Sequence, residues 1–459
     1  MKSLDYILGK QKLFYSTKLV SSDVSSRITK IKRIKSWILK NKEIIAKTCS
    51  LDYYKPSTEI YSTEINPILN HIDFNLKHIK RWVRPKYVSS PWFLISTKSK
   101  IHYEPKGCCL IISPWNYPFN LTLNPLISAI GAGNCVIIKP SEHTPSVSSL
   151  IDKMISDLFD SEEIKVIQGD ENVGSHLISM KFDHIFFTGS PEVGRKVMRS
   201  AANNFTSVTL ELGGINHSIV DETANLKSSA EKILWSKFLN AGQTCIAVNH
   251  TFVHESIYDN FLNHLRDTAI NFFSKNNDYA SIVNSFHFNR INDLVNLSLK
   301  QGSNIFFESG VTNNKHCLPL KIVKLKNTNN CLLHNEIFGP ILPVIKYNDL
   351  SDLIKYINYK DKPLALYLFS KSKSNKIKVT NNTSSGTLVV NDTILQYSNP
   401  YLLFGGVNKS GFGKIGRRRG FIEFSNEKSV LSQFSAFTVA KLLYPPYNNI
   451  KSKLANLVR

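Results

Sequence analysis

The segment FLNAGQTCIAVNH, residues 238–250, places Cys245 just after a glycine turn and between apolar runs. A cysteine inside an apolar strand or helix behaves as a small hydrophobe. One carried on a loop is available as a thiolate, the nucleophilic form, although the same setting also suits an unreactive loop cysteine. Other groups in the chain could serve such a thiol. Glu211 ends the run VTLEL before Gly213-Gly214 and is a candidate acid or base. Asn116, in SPWNYP, offers amide donors. Lys139 and Glu142, in KPSE, can together hydrogen-bond vicinal hydroxyls of a sugar; alone, the motif fits a solvated loop better. Gly189-Ser190 is a glycine turn opening a helix, where free N–H groups and the helix dipole favour an anion. It is not GxGxxG, so it also reads as a plain turn. His71 and His78 lie seven residues apart on one helical face without a third ligand, and no metal site is expected.

These groups need elements to hold them. Residues 23–86 read as helices, with Ile65, Ile68, Leu69, Ile72, Leu76 and Ile79 in one buried stripe. WFLISTKSKIHYEP is expected to form two short strands. From Gly107 the pattern alternates. CLIIS (109–113), CVIIK (135–139), IKVIQG, HIFFTG (184–189) and VTLEL (208–212) read as strands, and the segments between several of them as helices. Short, β-branched, non-alternating strands separated by helices predict a parallel sheet covered on both faces. Ligands of such sheets bind at the carboxyl ends of the strands. Asn116, Lys139, Glu142, Gly189, Ser190 and Glu211 all sit at or just beyond such ends. A second α/β series runs from Gly214 to about Phe404, with strands at TFVH (251–254), ILPVIKY (341–347) and TLVVND (387–392).

The bulk properties set limits. A chain of 459 residues implies two or three domains, and 42% apolar residues suffice for a globular core. The formal charge of +22 could suggest nucleic acid, but the lysines are spread from KIKRIKSWILKNK to the C-terminal tail, so no nucleic-acid partner is expected. The seven cysteines are odd in number and form no CxxC pair, which suits a reduced cytosolic chain. MKSLDYILGKQKLF lacks the apolar core of a signal peptide, and no stretch approaches the ~20 apolar residues of a membrane span. A cytoplasmic location is expected.

The motifs PWNYP, KPSE, FTGSPEVG, LELGG, GQTC, NEIFGP and FGGVNKSGFG, in this order and spacing, resemble those of the aldehyde dehydrogenase superfamily. TEINPILNHIDFNLKHIKRWVRPK and LLYPPY look like its class 3, fatty-aldehyde-type branch, and the resemblance covers essentially the whole chain. It implies an α/β fold with a Rossmann-type cofactor domain built on a five-stranded sheet (residues 1–82 and 102–210). A second α/β catalytic domain (211–404) and a small bridging element between subunits (83–101 and 405–459) complete it, in a homodimer. By the same resemblance Cys245 is the nucleophile, Glu211 the general base and Asn116 the oxyanion-hole amide. Lys139 and Glu142 contact the adenosine ribose, Gly189 and Ser190 the pyrophosphate, and Glu336 and Phe338 the nicotinamide ribose and ring. The cofactor implied is NAD, with NADP as a second candidate.

The expected activity is oxidation of an aldehyde to the carboxylic acid through a thiohemiacetal and a thioester on Cys245. Trp115, Tyr117 and Trp235 suggest an aromatic-lined tunnel, hence a medium- or long-chain aliphatic or an aromatic substrate; they are equally readable as core aromatics. A CoA-acylating relative would share the thiol but lack the water-activating acid, so Glu211 argues against it. A non-catalytic protein would have no use for the intact set. The chain departs from the family pattern at Ile215, where LELGG is usually followed by lysine, and at Asn335, Asn408 and Arg417, the last two standing where glycine is usual. The missing lysine puts the orientation of Glu211 in question.

Overall fold

The structure, a computed structural model, describes residues 2–273, 279–310 and 315–455. Strands Ile164–Val166, Cys135–Lys139, Cys108–Ile112, His184–Gly189 and Ser207–Leu212 lie side by side in that order, all parallel. The expected five strands are joined by a sixth, the two-residue Gly411–Phe412, antiparallel on the edge beside Ser207–Leu212. Too short to carry a sequence pattern, that strand is defined only by its partner. The order reverses between Cys108–Ile112 and His184–Gly189, which opens a crevice at their carboxyl ends.

Burial explains why these strands do not alternate in polarity. Cys109, Ile111, Val136 and Ile138 join the core built by the helices Val24–Lys40, Asn66–Trp82, Asn120–Ala132 and Pro145–Leu158. Their neighbours Cys108, Leu110, Cys135 and Ile137 face the opposite core, under Glu171–Ser179 and Pro191–Ala202. Both faces are covered, so both residue parities are apolar. The helix Glu171–Ser179 was not anticipated; its signal is Asp170, whose carboxylate caps the N–H groups of Asn172 and Val173.

A second sheet of seven strands runs in the order Asn304–Glu308, Lys321–Lys324, Ile341–Tyr347, His250–His254, His217–Val220, Ala365–Phe369 and Thr387–Val390. All its pairings are parallel except the first. A third sheet joins Lys86–Val88, Thr97–Pro105 and Ser425–Gln433, all antiparallel. Here the reading of WFLISTKSKIHYEP needs correction. Trp92–Leu94 is a single 3-10 turn, and Thr97–Pro105 is one nine-residue strand. Its partner, more than 300 residues away in sequence, pairs with it from end to end. Before that strand, residues 411–423 lie against the six-stranded sheet, where the helix Arg417–Glu423 packs on Asn120–Ala132. Among the described residues no helix is long and apolar enough to cross a membrane.

Candidate active site

Cys245 is placed by an unusual stretch of backbone. After the helix Leu226–Phe238, Asn240, Ala241 and Gly242 all take positive φ (54°, 51° and 72°). That region costs a residue with a side chain roughly 1–2 kcal/mol, and a dense hydrogen-bond set offsets it. The Asn240 N–H donates to the Glu59 carboxylate (2.8 Å), and its side-chain amide donates to the carbonyls of Asn116 (2.9 Å) and Gln243 (3.1 Å). The Gln243 side chain donates to the carbonyls of Asn240 and Ser281 and accepts from the Val283 N–H. At position 242 only glycine fits, since a Cβ would stand 2.4 Å from the Gly339 carbonyl oxygen. Beyond the turn, Tyr117 and Thr244 join hydroxyl to hydroxyl, Asn216 donates to the Cys245 carbonyl (2.7 Å), and Tyr367 donates to that of Ile246.

The thiol so held lines a cavity of about 530 Å³. Asn116 and Glu211 line the same cavity, with Gly189, Ser190, Glu336 and Phe338. Asn116 is buried; its amide donates to the Gln243 carbonyl (3.1 Å), and its own carbonyl accepts from the Tyr53 hydroxyl (2.8 Å). Glu211 stands opposite Thr188 in the sheet. Its carboxylate is buried, and among the described residues neither oxygen has a hydrogen-bond partner. Burial therefore pushes its pKa well above the usual carboxylate range; Lys414 opposes the rise and Glu423 adds to it. Lys414 itself donates to the Gly405 carbonyl. Its side-chain stem and a Glu211 oxygen each lie about 3 Å from where a Cβ on Gly405 would stand. A lysine from another part of the chain thus lies near Glu211, with its ammonium bound to the Gly405 carbonyl and no salt bridge to the carboxylate. Burial, reinforced by Glu211 and then Glu336, pushes the Cys245 thiol up to about 12.

At the sheet side of the cavity, Glu336 accepts from the Gly214 N–H (3.0 Å) and lies so close to Gly213 that a Cβ there would collide with it. Burial raises its pKa to about 7. Arg290 donates to the Glu336 and Ile337 carbonyls, Phe338 takes φ 49°, and its ring meets Trp115 edge-on at 5.3 Å. Ser190 caps the helix Pro191–Ala202 through the Val193 N–H. Lys139 and Glu142 form an ion pair of 2.8 Å beside Ser113, at the end of the next strand, but they are not on the cavity wall.

Trp115, Tyr117 and Trp235 all face this cavity. Reading the sequence missed Leu239, Ile394, Leu395, Tyr397 and Phe404, which complete the apolar part of its wall. It also missed Glu59. Apart from Phe404, which opens FGGVNKSGFG, none of these lies in a motif; they are recruited by folding. Two departures are explained locally. Asn408 takes φ 57°, a conformation asparagine tolerates better than most residues, and Asn335 donates to the Cys331 carbonyl, closing a 3-10 turn.

Residues 15–430 match the aldehyde dehydrogenase family. The chain is 39% identical over 440 residues to a 4,4'-diaponeurosporen-aldehyde dehydrogenase of Staphylococcus aureus, covering 95% of each. It is 34% identical over 430 residues to aldehyde dehydrogenase family 3 member A2 of Pongo abelii, covering 93% of this chain and 88% of that one. A structure of Staphylococcus aureus AldH in a substrate-bound state superposes with a TM-score of 0.95 at 37% identity, covering 99% of both chains. Members of the family take NAD or NADP. By match, coverage and the site just described, this chain belongs to the aldehyde dehydrogenase family, and it is an oxidoreductase that acts on aldehydes.

Proposed function

We propose that the protein oxidises an aldehyde with an apolar body to its carboxylic acid, using NAD in preference to NADP. The observation that carries this reading is the convergence of Cys245, Asn116, Glu211 and Glu336 on one cavity, otherwise lined mainly by aromatic and aliphatic side chains. The Staphylococcus aureus relative named for a diapocarotenoid aldehyde supports the apolar class. The residues present also fit a dinucleotide. Ser190 opens a helix N-terminus suited to a pyrophosphate, and Glu336 is seated against Gly213, where any side chain would displace it. Lys139 with Glu142 supplies both charge signs for ribose hydroxyls.

When bound, the nicotinamide supplies the oxidant, taking the hydrogen and its electron pair from the aldehyde carbon. Everything else falls to the chain. An aldehyde carbon has no leaving group, so it must first become tetrahedral. The Cys245 sulfur adds to it as the thiolate, the thiol proton passing to solvent water. The Asn116 amide and the Cys245 backbone N–H hold the resulting oxyanion; such a donor is worth about 3 kcal/mol. The thioester left on Cys245 is cleaved by water, and Glu211 takes the proton of that water. In this reading the unit around the six-stranded sheet binds cofactor, and the unit around the seven-stranded sheet carries the thiol. The open edge of Ser425–Gln433 supports pairing of two copies, in the cytoplasm.

A carboxylate at Glu142 would repel a 2′-phosphate, although Lys139 softens that repulsion. The test is NADH formation across a panel of aliphatic and aromatic aldehydes, with and without CoA, and kcat/KM for both cofactors. Apolar aldehydes and NAD should give the highest values, without a need for CoA. A strict requirement for CoA would move the protein to the acyl-transferring branch. A strong preference for NADP would remove Glu142 from the ribose site.

A further inference from the structure

Behind the apolar wall of the cavity lies a second, small chamber of about 30 Å³. At roughly 10–15 Å³ per water, it has room for about two waters. It shares Asn124, Pro125, Phe186, Tyr397, Phe404 and Ile415 with the main cavity, so the two adjoin along these residues. Its own character is different. His71, Ser128, Gln396 and Arg417 bring polar groups into it.

Arg417 is the unusual member. Its side chain is buried, and among the described residues no carboxylate forms a salt bridge with it, unlike Arg419, which pairs with Glu423 at 2.8 Å. Arg418 donates to the Tyr103 hydroxyl. Among the described residues Arg417 has one hydrogen bond, from Nη1 to the His71 Nδ1 at 3.1 Å, and its buried Nε–H has no partner; its guanidinium also lies 5.9 Å from the Phe74 ring. His71 cannot neutralise it. Burial and the Arg417 charge itself hold that ring neutral, its pKa well below the usual histidine range. A guanidinium stays charged in any protein interior, and a buried charge without a counter-ion costs several kcal/mol. The chain nevertheless carries arginine where the family resemblance leads one to expect glycine. Tyr397 stands between the two halves, close enough to feel both the Cys245 thiol and Arg417.

We propose that this chamber receives the anionic far end of the substrate, a carboxylate carried on the same chain as the aldehyde, with Arg417 as its counter-ion. The inference rests on the aldehyde-oxidising reading and deepens it: the substrate class is an aldehyde with an apolar middle and a carboxylate at the opposite end. The thiol and the guanidinium then hold the two ends, and the chain passes between Tyr397 and Phe404, side chains of the shared wall that part to admit it. Arg417 binds substrate and takes no part in the bond changes at Cys245.

The test uses straight-chain aldehydes in pairs of equal length, one ending in a methyl group and the other in a carboxylate. At the best-fitting length the carboxylated partner should have a kcat/KM about tenfold to a hundredfold higher, the range of a hydrogen bond to a charged group. Arg417→Gln should remove that preference, mostly through KM, and Arg417→Lys should restore part of it. Equal rates within every pair, or equal losses on both partners in Arg417→Gln, would overturn the inference while leaving aldehyde oxidation intact. If no aldehyde of either kind were oxidised, the underlying reading would fail instead. Titration calorimetry then decides the chamber separately, with straight-chain dicarboxylates against monocarboxylates on the intact protein and Arg417→Gln. Tighter binding of dicarboxylates that vanishes in the variant supports the site. No difference between the two series rejects it.

Discussion

The Cys245 loop and the end of the strand that carries Glu211 face the same cavity but are built on opposite terms. Around Cys245 nearly every polar group is tied down. Asn116, Asn216, Asn240 and Gln243 cross-link the loop to three other parts of the chain, around residues 116, 216 and 281, and Glu59 anchors it from a fourth. Glu211 has a rigid backbone, paired with Thr188 on one side and Gly411 on the other, yet its carboxylate has no hydrogen-bond partner. An unpartnered carboxylate in a dry site is costly. Under the proposed mechanism, with Cys245 as nucleophile and Glu211 as base, the difference matches two demands. A nucleophile gains most from being fixed in attack geometry. A base that acts only after the thioester exists gains from being free to meet a water.

Three experiments would break or sharpen this contrast. The largest effect is expected at the fixed side. Cys245→Ala should lower NADH formation at least a thousandfold while cofactor binding persists, because no other group can make the carbon tetrahedral. Residual oxidation above about a thousandth of the parent rate would show that the loop is not braced for attack.

The second acts on the free side. Glu211→Gln keeps the shape and removes the base, so a burst of NADH near one equivalent per site should precede a steady state slower by about 10²–10⁴-fold. Intact-mass measurement should find the acyl group on Cys245. In the unaltered protein the raised pKa of Glu211 makes its ionised form the scarcer one at low pH. The steady-state rate should therefore climb with pH through a range above that of an ordinary carboxylate, and this limb should vanish in Glu211→Gln. Loss of the first turnover as well would mean that Glu211 also deprotonates the thiol, whose own pKa lies near 12.

The smallest effect tests the bracing itself. In Gly242→Ala the new Cβ would meet the Gly339 carbonyl, in a conformation alanine disfavours. Strain of about 1–3 kcal/mol should appear as a lower melting temperature. Displacement of the sulfur should cost activity by about 10²-fold. An unchanged Tm and rate would show that the loop has slack.

The sequence by itself determined the five parallel strands, because residues buried on both sides leave unbroken apolar runs. It also offered candidates for the chemistry-bearing groups: Asn116, Lys139, Glu142, Gly189, Ser190 and Glu211 each end or follow such a strand, while Cys245 and Glu336 stand in motifs outside that sheet. Short motifs hold that information locally, and their order along the chain identified the family. Distance in sequence hid the rest. The nine-residue pairing of Thr97–Pro105 with Ser425–Gln433 and the two-residue strand Gly411–Phe412 have no local signal, since their hydrogen-bond partners lie far along the chain. The supply of Lys414 to Glu211 is likewise invisible until residues 405–414 fold back beside the strand. The substrate wall is of the same kind. Leu239, Ile394, Leu395 and Tyr397 are unremarkable along the chain, and only tertiary packing brings them to the cavity that Cys245 lines, because a cavity is bounded by whatever the fold brings to it.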